Sequence, residues 1–349
     1  MPHSPARLLS RRALLKAGAA ISAASLLPGR HARADTLTPL SVRLDWTPWG
    51  SQAGIHLAQA KGWFHDAGLD VTIADGNGST QTVQIVGGGD DVDIGFAALS
   101  SMMIARDKGL TVKAIASYAR RSDIGLMVPL DSGITTVADL KGKRLAHTAS
   151  SLETPFLDLF LKSGGLVRGD VTLVNLDGAA KLAAYLTGKV DCAFSSIPFF
   201  VPAVKAERPS RGLLFADAGL YLPSYGLLAR DEVIASKKDA LTRFVSITDA
   251  AWAFIAAGHQ DEGVDAIQAA RPNAKLSRVV MRNQLDDFLT FFPTPASAGL
   301  PVGQMAHADW AQAIDTLVAG KLIQPGQDPD SYFTNTLFDA ALYHRVAGS

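Results

Sequence analysis

The residues able to do chemistry in this chain sit in short polar segments, outside any catalytic motif. Asp45-Trp46-Thr47-Pro48-Trp49, with Gln52 three residues further on, joins two indoles to a carboxylate. An indole face suits stacking on a flat ring, and a carboxylate accepts a hydrogen bond from a ring amine. Each also has a plainer role: Trp46 in a core beneath a cleft, Asp45 as the cap of a turn, Trp49 as the cover of an exposed edge. Similar segments recur at 75–80, 97–101, 117–118, 147–154, 176–180 and 195–199. In these segments the candidate ligand-binding residues are Ala97, Ser100, Tyr118, Ser151, Glu153, Thr154 and Ser196, and Tyr225 joins them from its position at a lobe edge. Many of the segments precede helices, whose unpaired N–H groups bind carboxylate, sulfonate or carbonyl oxygen. Taken singly, each reads better as a helix N-cap, and Glu153 as part of a capping box with Ser150, by its S-x-x-E spacing; it is their convergence on one sheet edge that points to a cleft.

The sequence lacks the reactive constellations of the common catalytic families. There is no G-x-S-x-G, H-E-x-x-H, Walker A or G-x-G-x-x-G. The eight histidines show no metal-ligand spacing, and the single Cys192 permits neither an internal disulfide nor a multi-cysteine zinc site. Gly87-Gly88-Gly89 follows a helical stretch and reads as its C-terminal turn, while Asp90-Asp91 and Asp286-Asp287 read as solvated helix ends. The expectation is binding without catalysis, and no metal or cofactor.

The elements that must position these residues belong to a large globular chain. It has 349 residues, 48% of them hydrophobic and 19% charged, which supplies a substantial core and excludes disorder. Its 33 basic and 33 acidic residues cancel, so nothing draws it to nucleic acid or to an anionic membrane. Residues 1–34 read as a targeting segment. Ser10-Arg11-Arg12-Ala13-Leu14-Leu15-Lys16 fits the twin-arginine export pattern, an alanine-rich apolar stretch follows, and Ala32-Arg33-Ala34 would place cleavage before Asp35. A plain amphipathic helix with a chance arginine pair is the alternative. The expected location is the periplasm, for a monomer that carries no lipid anchor.

From about residue 40 strand-like runs alternate with helical periodicity, which implies an α/β fold with parallel or mixed sheets covered on both faces. Ala53, Leu57, Ala60 and Phe64 share one helical face, as do Phe156, Leu159, Phe160 and Ser163. A weak repeat is visible. Leu69-Asp70-Val71-Thr72-Ile73 is followed by Val92-Asp93-Ile94-Gly95-Phe96, and Asp170-Val171-Thr172-Leu173-Val174 by Val190-Asp191-Cys192-Ala193-Phe194. Two similar α/β lobes account for it; two generic βαβ units in one long sheet are the alternative. Ligands of such sheets bind beyond the carboxyl ends of the strands, which is where the polar segments fall.

Val42-Arg43-Leu44-Asp45-Trp46-Thr47-Pro48, then Lys61-Gly62-Trp63-Phe64 and Gly68-Leu69-Asp70-Val71, resembles the opening of the thiamine-pyrimidine-synthase-like proteins, a family that includes periplasmic binding proteins of ABC importers. The likeness continues at Asp93-Ile94-Gly95-Phe96, at 139–144 and at Tyr332-Phe333-Thr334-Asn335. The resemblance implies a two-lobed periplasmic-binding-protein fold of type II, each lobe a mixed sheet flanked by helices, with the ligand cleft between them. Lobe 1 is expected at 38–127 plus 225–349 and lobe 2 at 128–224. It further implies a binding component that hands a small molecule to an ABC permease and its ATPase, touching the membrane only through that transporter. The D-W-x-P opening favours a flat heterocycle such as a thiamine pyrimidine precursor. A sulfonate or aromatic carboxylate comes second, and gains if Arg120 and Arg121 face the cleft. An exported enzyme of pyrimidine or cofactor metabolism is the alternative from another class. The eukaryotic synthases of the family carry a Lys and a His after the third strand; Ala97 and Ser101 stand there in this chain, so the amine for a Schiff base is missing.

Overall fold

The computed structural model describes residues 37–348 apart from Asp90 and Ser150. The expected export segment therefore lies outside the described residues. In chain order the strands are β1 (Thr38–Arg43), β2 (Leu69–Ala74), β3 (Ile94–Ala98), β4 (Val112–Ser117), β5 (Ile124–Pro129), β6 (Arg144–His147), β7 (Thr172–Asn175), β8 (Cys192–Ser196), β9 (Ser210–Leu214) and β10 (Tyr225–Arg230). They form two five-stranded sheets, ordered β2-β1-β3-β10-β4 and β7-β6-β8-β5-β9. In each sheet one strand runs against its neighbours. β10 is antiparallel to β3 and β4, and β5 is antiparallel to β8 and β9.

The two sheets thus share one topology, and the sequence repeat has a physical cause. Asp93 and Asp191 stand just before the third strand of their respective sheets. Asp93 Oδ2 accepts from Ser41 N at 3.0 Å and Asp191 Oδ2 from Arg144 N at 2.7 Å. In both lobes this carboxylate ties the adjoining parallel strand, β1 or β6, to the amino end of β3 or β8, opposite the end where ligands bind.

Strand β9, interrupted by Arg211-Gly212, escapes sequence patterning. The first boundary also moves. β5 lies wholly in the second sheet, so the chain crosses between Ser117 and Ile124, before the expected break at 127. The helix carrying Ala53 and Leu57 ends at Ala60, and Gly62, at φ 74°, starts a new turn. This rephases the face: Phe64 is buried on a separate short helix, while Ala60 is exposed.

Lobe 1 is closed by the helix Lys238–Ala256, whose Trp252 is fully buried. Gly54 lets the helix Ala53–Ala60 approach that indole; a Cβ there would lie 2.5 Å from Trp252 Nε1. Gly54→Val is expected to destabilise by about 1–3 kcal/mol through overpacking, lowering the thermal midpoint by several degrees. A midpoint unchanged by differential scanning calorimetry would show that the ring can yield. The Tyr332–Asn335 segment adds to the edge of the first sheet. Ala114 N donates to Tyr332 O at 2.9 Å, and Thr334 N to Ala114 O at 3.0 Å.

Candidate functional site

The two sheets point their strand ends at a common cleft, and between the lobes lies a cavity of about 230 Å³. Its lobe 1 wall begins where β1 ends. The Asp45 loop is pinned from behind by Gly78 N, which donates to Asp45 O at 2.6 Å, and by Thr82 Oγ1, which donates to Leu44 O at 2.9 Å. Only glycine fits at 76, since a Cβ there would sit 1.9 Å from Leu44 O. Gln52 fixes the loop's polar groups: its Oε1 accepts from Trp49 N at 3.0 Å and its Nε2 donates to Asp45 Oδ1 at 3.1 Å.

Asp45 is only 3% exposed. Burial pushes its carboxyl up to about 7, against the hydrogen bonds from Gln52 and Tyr225 that favour the charged form; the nearby Asp123 raises it further. Trp49 meets Phe199, Tyr225 and Phe288 edge-on, with ring centroids 5.3, 5.7 and 5.7 Å away. Trp46 is half-buried and reaches across to lobe 2, where a Cβ on Gly178 would lie 2.8 Å from its Cζ2.

The lobe 2 wall is built on the helix Gly178–Leu186, capped by Asp177, whose Oδ1 accepts from Ala180 N at 2.8 Å. One turn in, Lys181 lines the cavity with its side chain 4% exposed and its Nζ 3.2 Å from Glu153 Oε1. That oxygen also accepts from Thr148 N at 3.2 Å, while Glu153 Oε2 is buried without a partner. Phe200 lies under the lysine, its ring centroid 5.4 Å from Nζ.

At the base of the cleft Asp123, in the first crossover, accepts from the hydroxyls of Ser196 and of Ser224, the residue before β10. Burial holds its carboxyl up at about 6. One buried carboxylate thus ties the first crossover to the second and to the end of β8.

Of the residues singled out from sequence, Asp45, Trp46, Trp49, Ser151, Ser196 and Tyr225 line this cavity. Gln52 stands one step behind, holding Asp45 and Trp49. Glu153 acts through Lys181; Ser150, its sequence partner in the capping box, lies outside the described residues. The others are elsewhere. Ala97 and Ser100 are covered because the returning chain crosses that strand end: Tyr225 pairs with Ala98, and Ser100 N donates to Pro223 O at 3.2 Å. Tyr118 turns into lobe 1 and donates to Asp249 Oδ1 at 3.0 Å, and Thr154 donates to Thr148 O at 2.7 Å. Arg120 and Arg121 do not line the cavity. Arg120 is spent on the carbonyls of Pro301 and Gln304, and Arg121 lies over the Phe291 ring.

Asn77, Ser79, Thr148, Asp177, Gly178, Lys181, Phe199 and Phe200 line the cavity without having been picked out. Most fall inside the polar segments. Lys181 does not, and its only signal was a lysine one turn beyond an Asp cap. It puts an amine in the cavity, but on the second lobe and bound to Glu153; at the position of the synthases' lysine this chain has Ala97. Outside the cleft, His307, Asp328 and Asp330 are exposed and bring one ligand atom each within 4.8 Å of the others. No helix among the described residues is long and apolar enough to cross a membrane.

The comparisons agree with this architecture. The chain is 27% identical over 240 residues to a Haemophilus influenzae protein named for thiamine biosynthesis, covering 67% of this chain and 74% of that one. It is 23% identical over 312 residues to the riboflavin-binding protein RibY of Chloroflexus aurantiacus, covering 88% of each. A 4-amino-5-hydroxymethyl-2-methylpyrimidine phosphate synthase of Saccharomyces cerevisiae is 30% identical over 150 residues, 42% of this chain and 43% of the yeast one. Among solved structures, the alkanesulfonate-binding protein SsuA of Xanthomonas axonopodis superposes with a TM-score of 0.64 at 19% identity, over 85% of this chain and 98% of that one. A Candida albicans protein described as having the generic periplasmic binding protein fold gives 0.63 at 14% identity, over 86% of this chain and 97% of that one. This is therefore a two-sheet α/β chain with the periplasmic-binding-protein fold. The NMT1/THI5-like family description matches residues 49–262, and the chain belongs to that family.

Proposed function

We propose that this protein is the solute-binding component of an ABC-type importer, exported to the periplasm, where it captures a small flat heterocycle and delivers it to the permease. The observation that carries this reading is the interlobe cavity, with indole and phenyl walls and a buried carboxyl, Asp45, at the point where a ring amine would bond. Ligand bridges Trp46 and Asp45 of lobe 1 to the Gly178 helix of lobe 2, closes the hinge, and the closed form docks on the transporter. The name of the riboflavin-binding relative supports a flat heterocycle, and that of the thiamine relative supports a pyrimidine precursor. A sulfonate or aromatic carboxylate is the second ligand class. Its support is the sulfonate-binding neighbour, and it loses the support of Arg120 and Arg121.

Catalysis is the alternative class, favoured by the synthase relative and by the presence of Lys181 in the cavity. Against it, Lys181 Nζ is held by Glu153, away from any attack on a carbonyl. A thermal-shift screen with pyrimidines, flavins, sulfonates and aromatic acids separates the readings. A ligand at 100 times its Kd stabilises by about 2.7 kcal/mol, a shift of several degrees in a chain of this size. A shift without product by mass spectrometry is the expected result; product from any candidate would replace binding by catalysis.

A further inference from the structure

Lys181 is the one cationic side chain among the described residues that line the cavity, and three carboxyl groups share its surroundings. Glu153 is 3.2 Å from its Nζ, and Asp45 and Asp177 line the same space. An ammonium buried this deeply needs a counter-charge, and Glu153 supplies it. An ammonium also carries three N–H donors. Among the described residues Glu153 Oε1 is the hydrogen-bond acceptor of Nζ, which leaves donor capacity where the lysine meets the cavity. The second oxygen of Glu153 is buried with no partner, so its charge is not neutralised elsewhere.

From this we infer that the Glu153–Lys181 pair selects uncharged ligands: Lys181 donates to a neutral acceptor, a ring carbonyl or ring nitrogen, while Glu153 cancels the charge that would otherwise draw in an anion. The inference rests on the solute-binding reading and narrows its ligand class. An anion seated on Nζ would lie beside the Glu153 carboxylate and face Asp45 and Asp177 without a second cation to offset them. A neutral heterocycle with a donor at one edge and an acceptor at the other satisfies Asp45 on lobe 1 and Lys181 on lobe 2 at once. The fold itself does not exclude anions, since an alkanesulfonate-binding protein shares it. The charge balance at Lys181 does.

Matched amide and acid pairs isolate the charge: nicotinamide against nicotinate, and pyrimidine-5-carboxamide against pyrimidine-5-carboxylate, measured by calorimetry on the whole protein at pH 8. The wild type is expected to bind each amide at least tenfold tighter than its acid. Glu153→Gln should erode or reverse that ratio by tenfold or more. If Glu153→Gln gives no cooperative thermal transition, Lys181→Gln is read in its place; it keeps Glu153 and should widen the discrimination against the acid. Equal or tighter binding of the acids by the wild type, or a ratio that neither variant moves, overturns the inference and leaves the solute-binding reading standing. Failure of the wild type to bind any amide, acid, pyrimidine or flavin overturns the inference, and a blank with sulfonates as well overturns both.

Discussion

Trp46→Ala is expected to weaken ligand binding by roughly 30-fold or more, about 2 kcal/mol, with the protein still folded. The indole is half-buried and bridges the lobes, from the end of β1 to the first residue of the helix Gly178–Leu186. Truncation removes both a ring wall and an interlobe contact. It takes little from the core, so the ligand-free thermal midpoint should barely move. Gly178→Val supplies the converse. Its side chain would collide with Trp46 Cζ2, which a glycine accommodates at 2.8 Å from the missing Cβ position. The same loss of affinity is expected with the indole still present. Calorimetric titration with whichever ligand the thermal screen yields is the measurement. An affinity within threefold of wild type for Trp46→Ala would remove this residue from the site.

The second large effect is on stability. Asp45 has its carboxyl raised from 3.8 to about 7 by burial. Between those values the folded protein holds a proton that the unfolded chain has released, so stability falls as pH rises from about 4 to about 7 and levels off above. Three units correspond to about 4 kcal/mol, an order-of-magnitude figure. Asp45→Asn removes the titration. The stability of the variant relative to wild type should therefore climb by about that amount between pH 4 and pH 8, by urea denaturation at each pH. The difference is the right quantity because other groups titrate too. His56, lowered to about 4 by burial, acts in the opposite direction and costs stability as pH falls below its unfolded value of 6.5. If Asp45 also bonds a ring amine, the same substitution weakens ligand binding while it strengthens the fold, as expected where a functional carboxyl is buried at a cost in stability. A pH-independent difference would show that burial does not raise the Asp45 carboxyl above its value in the unfolded chain.

Local pattern was sufficient for much of this protein. Alternating runs and helical periods located nine of the ten strands, since hydrophobic periodicity is a property of neighbouring residues. The rule that ligands bind beyond the carboxyl ends of strands selected five segments that do line the cavity, and it brought out Asp45, Trp46, Trp49, Ser151 and Ser196 by position. The repeat around Asp93 and Asp191 was legible because each carboxylate does the same job within its own lobe.

What needed the tertiary structure was everything that depends on two distant segments meeting. Ala97 and Ser100 stand at a strand end like the others, but a strand more than 120 residues further along the chain returns to cover them. Arg120 belongs to loop carbonyls some 180 residues away and does not face the cleft. Lys181 and Glu153, 28 residues apart, become the charge-setting pair of the cavity only when the helix Gly178–Leu186 lies beside the 147–154 loop. Periodicity reports which face of an element is apolar, a matter of nearest neighbours in the chain. Which polar side chain on that element meets a partner, and which is walled off by a returning strand, is decided by packing between segments that the sequence does not juxtapose.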